Sequence, residues 1–228
     1  MNKRQQGFTL VEIAIVLVII GLLLGGILKG QEMITQAKIK NVVADFSGIS
    51  AAYHGYQDRY RAIPGDDPNA LSRWPNLPLV VSGDGNGIVT GTYNNGGVAC
   101  ATNVEACSWW DHLRRAGFVS GNGVQQPLNA VTGQIGVQTG NGASPTPLPV
   151  LGTNAAGAGG FSGLIICSAN LPDKIASAVD TQMDDGQRVS GTVRGQLQTA
   201  PNPTILQDAS GANYQETGTN VYTVCHAF

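Results

Sequence analysis

From Phe8 to Leu28 the chain reads FTLVEIAIVLVIIGLLLGGIL, 21 residues with one ionisable side chain, Glu12. As a helix rising 1.5 Å per residue, a run of that length spans roughly 30 Å, the thickness of a bilayer's hydrocarbon core. The preceding MNKRQQ carries Lys3 and Arg4 and no acid, and the next cation, Lys29, lies beyond the apolar run. The positive-inside rule therefore keeps residues 1–7 cytoplasmic and sends everything after Lys29 to the other side.

Glu12 is the residue that needs explaining. A carboxylate at the centre of a membrane helix costs about 2.5 to 3.5 kcal/mol on insertion scales, so an acid at that depth is by default functional. An ordinary secretory signal also has a basic start and an apolar core, but its cleavage site follows the core with small residues at A-x-A spacing. The best candidate here is GLLLGG, near Gly25 and Gly26. Neither a removed signal nor a plain anchor accounts for Glu12. In the first turn an acid complements the positive end of the helix dipole, worth about 0.3 to 1 kcal/mol. The same benefit was available outside the apolar region at no insertion cost.

The stretch KRQQG followed by FTLVEIAIVLVIIGLLL resembles a type IV prepilin leader and the start of its mature helix, the pattern shared by type IV pilins and type II secretion pseudopilins. A short basic leader, a glycine, a phenylalanine, a glutamate at the fifth place after the glycine and an apolar helix occur together. The resemblance implies that a prepilin peptidase in the membrane cuts after Gly7 and methylates the new amino terminus on Phe8. It also implies that Glu12 of an incoming subunit pairs with the amine of a neighbour already in a filament. The implied partners are other copies or other pilin-like subunits, the inner-membrane assembly machinery and the membrane itself. The implied location is the bacterial inner membrane, single-pass with the N-terminus inside, and then a periplasmic or extracellular filament.

Beyond the membrane the helix is expected to continue. Ile39, Val42, Phe46, Ile49, Tyr53, Tyr56 and Tyr60 fall at alternating steps of three and four, the stripe of a helix with one buried face. No proline occurs before Pro64, and Ile63, Pro64 and Gly65 make a firm stop. One helix is predicted over about 8–61, apolar over 8–28 and amphipathic over 29–63 up to its stop. Many pilins carry a proline in the membrane part of this helix, and here there is none. Gly21, Gly25, Gly26 and Gly30 are the residues that could soften it or allow close helix contact.

Residues 64–228 differ in character, with all 11 prolines and most of the 31 glycines. Short apolar runs such as LPLVV, FSGLIIC and NVYTVC alternate with Gly, Asn and Pro clusters, which reads as strands and loops. The length suffices for one domain with its own core. The expected class is α+β, pilin-like: a long N-terminal helix packed on an antiparallel β-sheet head with long loops. Gly140 to Gly160, rich in Gly, Ala, Ser and Pro, is expected to be a surface loop.

Four cysteines, Cys100, Cys107, Cys167 and Cys225, fall on the expected exported side, where disulfides persist. Three pairings are open. Cys100 with Cys107 would close a local loop, and Cys167 with Cys225 would join two strand-like runs, contributing roughly 2.5 and 4 kcal/mol on the loop-entropy model. Zinc is disfavoured, since there is no C-x-x-C and His54, His112 and His226 lack ligand spacing.

PGDD at 64–67, GDGNG at 83–87 and DTQMDDG at 180–186 offer Asp66, Asp67, Asp84, Asn86, Asp180, Asp184 and Asp185 as candidate calcium ligands. Calcium takes six to eight oxygens of this kind, and Asp-Gly-Asn-Gly resembles the opening of a calcium loop. Asn95 stands where an EF-hand would place its bidentate glutamate. Asp and Asn before Gly are also ordinary turn residues. Trp109, Trp110, Leu113 and Phe118 are expected to form a helix packed on the core.

Catalytic motifs are absent: no G-x-S-x-G, no phosphate loop and no cysteine–histidine pair with a free thiol. The carboxylate clusters could serve a glycosidase only at separations that sequence does not set. Formal charge is −2, falling to −4 when Lys3 and Arg4 are removed, which gives no basic surface for nucleic acid. The resemblance thus implies a structural subunit of a type IV pilus or pilus-like filament with no required cofactor. The alternative is a periplasmic ligand-binding or enzymatic domain tethered by its N-terminus.

Overall fold

The computed structural model describes residues 9–75, 81–95, 104–140, 151, 159–204 and 212–228. With no proline before Pro64, α1 runs unbroken from Leu10 to Tyr60, 51 residues. It ends where Arg61 enters the left-handed region at φ 54°, its N–H donating to the Gln57 carbonyl at 2.8 Å. That is the helix stop more often given to glycine.

The chain divides into two compact units, Met1–Lys38 and Ile39–Phe228, with the boundary inside α1. In the first, every side chain from Leu10 to Leu28 is exposed, Leu10 at 87% and Leu22 at 73%. By length and composition this helix can cross a membrane.

The second unit contains the rest of α1, α2 (Ala70–Arg73), α3 (Glu105–Arg115), β1 (Ile135–Thr139), β2 (Leu164–Pro172), α4 (Asp173–Met183), β3 (Val193–Leu197) and β4 (Val221–Ala227). The strands form one antiparallel sheet in the order β1-β2-β4-β3. This is the α+β architecture expected, a long N-terminal helix with an antiparallel sheet. FSGLIIC supplies β2 and NVYTVC supplies β4, while most of LPLVV lies outside the described residues. So does most of the expected loop at 140–160, within which Leu151 is buried.

Side-chain alternation sorts the sheet into two faces. Ile135, Val137, Ile166, Val193, Tyr222 and Val224 form one core with Ile39, Val42, Phe46, Ile49, Tyr53 and Tyr56 of α1 and with Ile175 and Val179 of α4. The stripe is buried as its spacing requires, with Tyr60 partly buried at its end. Ile165, Cys167, Ala169 and Cys225 face the other way, against Tyr93, Leu151 and Phe161. Asn170, at φ 58°, interrupts β2 and shifts its register to β4 between Ser168 and Leu171.

α3 carries Trp109, Trp110 and Leu113 fully into the core, and the Trp109 ring stacks on Tyr53 with centroids 5.5 Å apart. Phe118 does not belong to that helix. Gly117, at φ 81°, turns the chain beyond Arg115, and the Phe118 ring lies over Gly55 of α1, where an added Cβ would meet it at 2.7 Å.

Candidate functional site

Three groups of residues were candidates from the sequence: the helix start, the cysteines and the acidic loops.

At the helix start, Thr9 stands just before α1 and Glu12 is in its first turn. The Thr9 N–H and hydroxyl both donate to Glu12 Oε2, at 2.8 and 2.7 Å, and the Glu12 N–H reaches back to the Thr9 hydroxyl at 3.4 Å. This is a reciprocal capping box, in which two otherwise orphaned helix donors are satisfied by the pair. Among the described residues Glu12 Oε1 has no partner. Gly7 and Phe8 lie outside the described residues. Thr9 was not among the residues singled out from the sequence, although T-x-x-E ahead of an apolar run is the pattern that announces such a box.

Cys167 and Cys225 are directly opposite one another in the β2–β4 ladder and are joined by a disulfide. Cys107, buried in α3, is also disulfide-bonded. Its expected partner, Cys100, lies outside the described residues.

The acidic residues separate into three structures. Asp66 is buried, and its carboxylate accepts the N–H groups of Gly85 at 2.6 Å, Asn86 at 3.2 Å and Gly87 at 2.7 Å. Glu105, in the first turn of α3, accepts the N–H groups of Asp84 at 3.2 Å and Thr90 at 2.9 Å, together with the Thr90 hydroxyl at 3.0 Å. The GDGNG loop is therefore held between two buried carboxylates. Gly83 passes so close that an added Cβ would lie 2.3 Å from the Asp66 Cα. Asp84 and Asn86 close the turn on themselves, the Asn86 N–H and Nδ2 donating to Asp84 at 3.0 and 2.8 Å. Burial raises the Asp66 pKa, and the nearby Glu105 charge adds to it against the lowering N–H bonds.

Asp66, Asp84 and Glu105 bring a carboxylate oxygen each to within 4.8 Å of one another. Glu105 had no local sequence signal, being one acid at the start of a helix. These oxygens already accept backbone N–H groups, and Asn86 Oδ1 accepts the Ile88 N–H at 2.7 Å. The donor set has the chemistry calcium prefers, and each of these carboxylates also accepts donors that shape the loop.

Asp67 faces elsewhere. It takes the Tyr56 hydroxyl, the Asn69 N–H at 2.9 Å and the Arg73 guanidinium. Burial would raise its pKa, but Arg73, Tyr56 and Asn69 outweigh that and hold it low. Behind it, His112 Nδ1 accepts the Gly65 N–H at 2.9 Å, so Nε2 carries the proton and donates to the Val81 carbonyl at 2.8 Å. Burial keeps that imidazole neutral by pushing its pKa down.

Asp180, Asp184 and Asp185 cluster at the C-terminal end of α4. Asp180 accepts the Tyr214 hydroxyl at 2.7 Å and the Gly186 N–H at 2.9 Å. Asp184 takes the N–H groups of Thr192 and Val193, and Asp185 those of Gln187 and the Ser190 hydroxyl. Gly191, at φ 73°, lies against the Asp184 carboxylate, which an added Cβ would displace. These acids too organise the loop that follows them.

Residues 2–28 match the family model described as the prokaryotic N-terminal methylation motif, the signature of type IV pilins and pseudopilins. No curated protein and no solved structure matches the chain. The match covers the leader and the apolar run, so it bears on the helix start, and the head is described by its structure alone. The chain carries the precursor signature of a pilin-like protein, with an apolar N-terminal helix suited to a membrane anchor.

Proposed function

We propose that this chain is the precursor of a structural subunit of a type IV pilus or related filament. A prepilin peptidase cuts it after Gly7 and methylates Phe8. Residues 8–28 hold it in the inner membrane with the N-terminus inside and the head, residues 64–228, outside. Assembly machinery then polymerises it with copies of itself or other pilin-like subunits, whose apolar helices bury one another. The role requires no cofactor.

The observation that carries this reading is the coincidence of two features on the same residues. The methylation motif spans 2–28, and the apolar side chains of that stretch lie exposed with a single carboxylate at their start. A face of this kind requires lipid or other helices. The carboxylate matches the amine that cleavage would create, since each charge is costly in lipid unless the other compensates it.

The test is the filament fraction sheared or sedimented from cells producing the wild-type chain or Glu12→Gln. The wild type is expected in filaments and the variant in the membrane, cut but unassembled. A Glu12→Gln chain that enters filaments like the wild type would remove Glu12 from assembly. A wild-type chain found only as a membrane-bound monomer would favour a tethered domain.

A further inference from the structure

At the end of the sheet where β2 and β3 finish and β4 begins, the head holds an open cavity of about 410 Å³. That is within the roughly 300 to 1,000 Å³ of small-molecule sites. Its chemistry follows from the irregularity in β2. Asn170 falls in the register shift between Ser168 and Leu171, so its N–H leaves the ladder and donates instead to Gln198 Oε1 at 3.0 Å. Gln198 Nε2 donates back to Asn170 Oδ1 at 3.3 Å, and the Asn202 N–H donates to the same oxygen at 3.1 Å. With Oδ1 taking two donors, the orientation of the amide is fixed, and Asn170 Nδ2, without a partner among the described residues, remains to donate. Thr132 and Thr199 add exposed hydroxyls to the lining, and that of Thr132 spends its proton on the Val131 carbonyl at 2.6 Å and keeps its lone pairs.

Backbone strain gathers at the same place. Thr132, at φ 63°, and Asn202, at φ 47°, join Asn170 in the left-handed region. For a β-branched residue that conformation is a true outlier, and strain of this kind persists where the placement of a side chain matters more than local stability. A bulge in a strand likewise re-aims one side chain out of the ladder.

No charged side chain lines the cavity, so it matches neither an anion nor a cation. It is also a poor seat for an added peptide strand. The N–H groups of Asn170 and Asn202 are spent within the network, and that of Gln198 donates to the Val221 carbonyl at 2.8 Å. What remains for recognition is one side-chain amide donor and two hydroxyls, beside the aliphatic surfaces of Val131 and Val221. We propose that this cavity binds a neutral saccharide. Sugar hydroxyls both donate and accept, matching Asn170 Nδ2 and the threonine oxygens, and the C–H faces of the ring pack on the two valines. The site belongs to the head and does not depend on the filament reading.

The test uses the full chain, solubilised in a detergent without a sugar headgroup and applied to a printed array of neutral and anionic glycans. The glycan bound best is then titrated against the wild type, Asn170→Asp and Thr199→Ala. Asn170→Asp keeps the shape, the tolerance of positive φ and the oxygen that holds Gln198 and Asn202, and removes the Nδ2 donor. Thr199 is exposed, and its side chain has no bond among the described residues, so its truncation leaves the fold alone. Neutral glycans are expected to bind, with affinity falling about ten-fold in Asn170→Asp and about three-fold in Thr199→Ala, both at the wild-type urea midpoint.

The proposal is overturned if no neutral glycan binds, if only anionic glycans do, or if neither variant weakens binding at an unchanged urea midpoint. Displacement of the glycan by an equal concentration of triglycine would show that the cavity reads peptide amides, and overturns it as well.

Discussion

The Tyr56 hydroxyl donates to Asp67 Oδ2 at 2.6 Å, and the same oxygen takes the Arg73 guanidinium. Tyr56 and Asp67 are both fully buried, so the amphipathic part of α1 is tied to the first loop after it by a charge-assisted bond with no competing water. Tyr56→Phe keeps the ring and removes the bond. It is expected to lower unfolding free energy by about 1.5 to 3 kcal/mol, the range for a buried hydrogen bond to a charged group. Urea unfolding of the detergent-solubilised chain, followed by tryptophan fluorescence, measures it. A change below about 0.5 kcal/mol would show that Arg73 and Asn69 suffice for Asp67.

The cross-strand disulfide makes a separate prediction. Cys167 and Cys225 are separated by 58 residues, for which loop-closure entropy gives about 4 kcal/mol of stabilisation. Replacing both with serine is expected to lower the urea midpoint accordingly while leaving the N-terminal peptide unchanged. If the double variant unfolds at the wild-type midpoint, the strands β2 and β4 hold together without help from the bond.

Asp180 sets a pH dependence. Burial raises its pKa to about 6, and the neighbouring Asp185 and Asp184 charges add to the effect despite the Tyr214 and Gly186 bonds. The native state then binds the proton more tightly than the unfolded state, so this residue's contribution falls as pH rises from about 4 to 6 and is flat above. His112 acts in the opposite sense, since its depressed pKa makes acid destabilising below the ordinary histidine range. Comparison with Asp180→Asn isolates the carboxyl. Relative to the variant, the wild type is expected to gain about 1 to 1.5 kcal/mol between pH 7.5 and 5. Parallel stability curves for the two would contradict this.

The GDGNG loop tests whether its acids serve a cation. Because Asp66 and Glu105 already accept five backbone N–H groups between them, Glu105→Gln is expected to destabilise the head by about 1 to 3 kcal/mol without any metal present. Thermal unfolding of the wild type is expected to give the same Tm in calcium and in chelator. A Tm that rises with calcium and saturates would make Asp66, Asp84 and Glu105 a binding site.

Local periodicity carried most of the fold. The stripe from Ile39 to Tyr56 and the stop at Pro64 are short-range patterns, and the structure follows both. FSGLIIC and NVYTVC read as strands for the same reason, their apolar residues being bounded by turn formers. The register of those strands was not legible, because the left-handed Asn170 that shifts it has no flanking signal. At the acidic loops, residue type was legible and partner was not. Asp66 and Asp67 are adjacent yet serve different partners, since successive side chains after Gly65 point apart. Glu105 joins Asp66 only through the packing of α3, a contact across 39 positions that no spacing rule anticipates. Phe118 does not share the helix expected for it with Trp109, Trp110 and Leu113, because Gly117 turns the chain first. At the helix start Thr9 was legible in principle, as the first residue of a T-x-x-E box.

The measurement that bears most directly on the whole account is the mass of the N-terminal peptide from membranes of cells with and without a prepilin peptidase. The account predicts a chain beginning at methylated Phe8 when the peptidase is present, and at Met1 when it is absent. A chain that begins at Met1 in both, or one cut near Gly26, would contradict it and leave Glu12 without the amine it is held to meet.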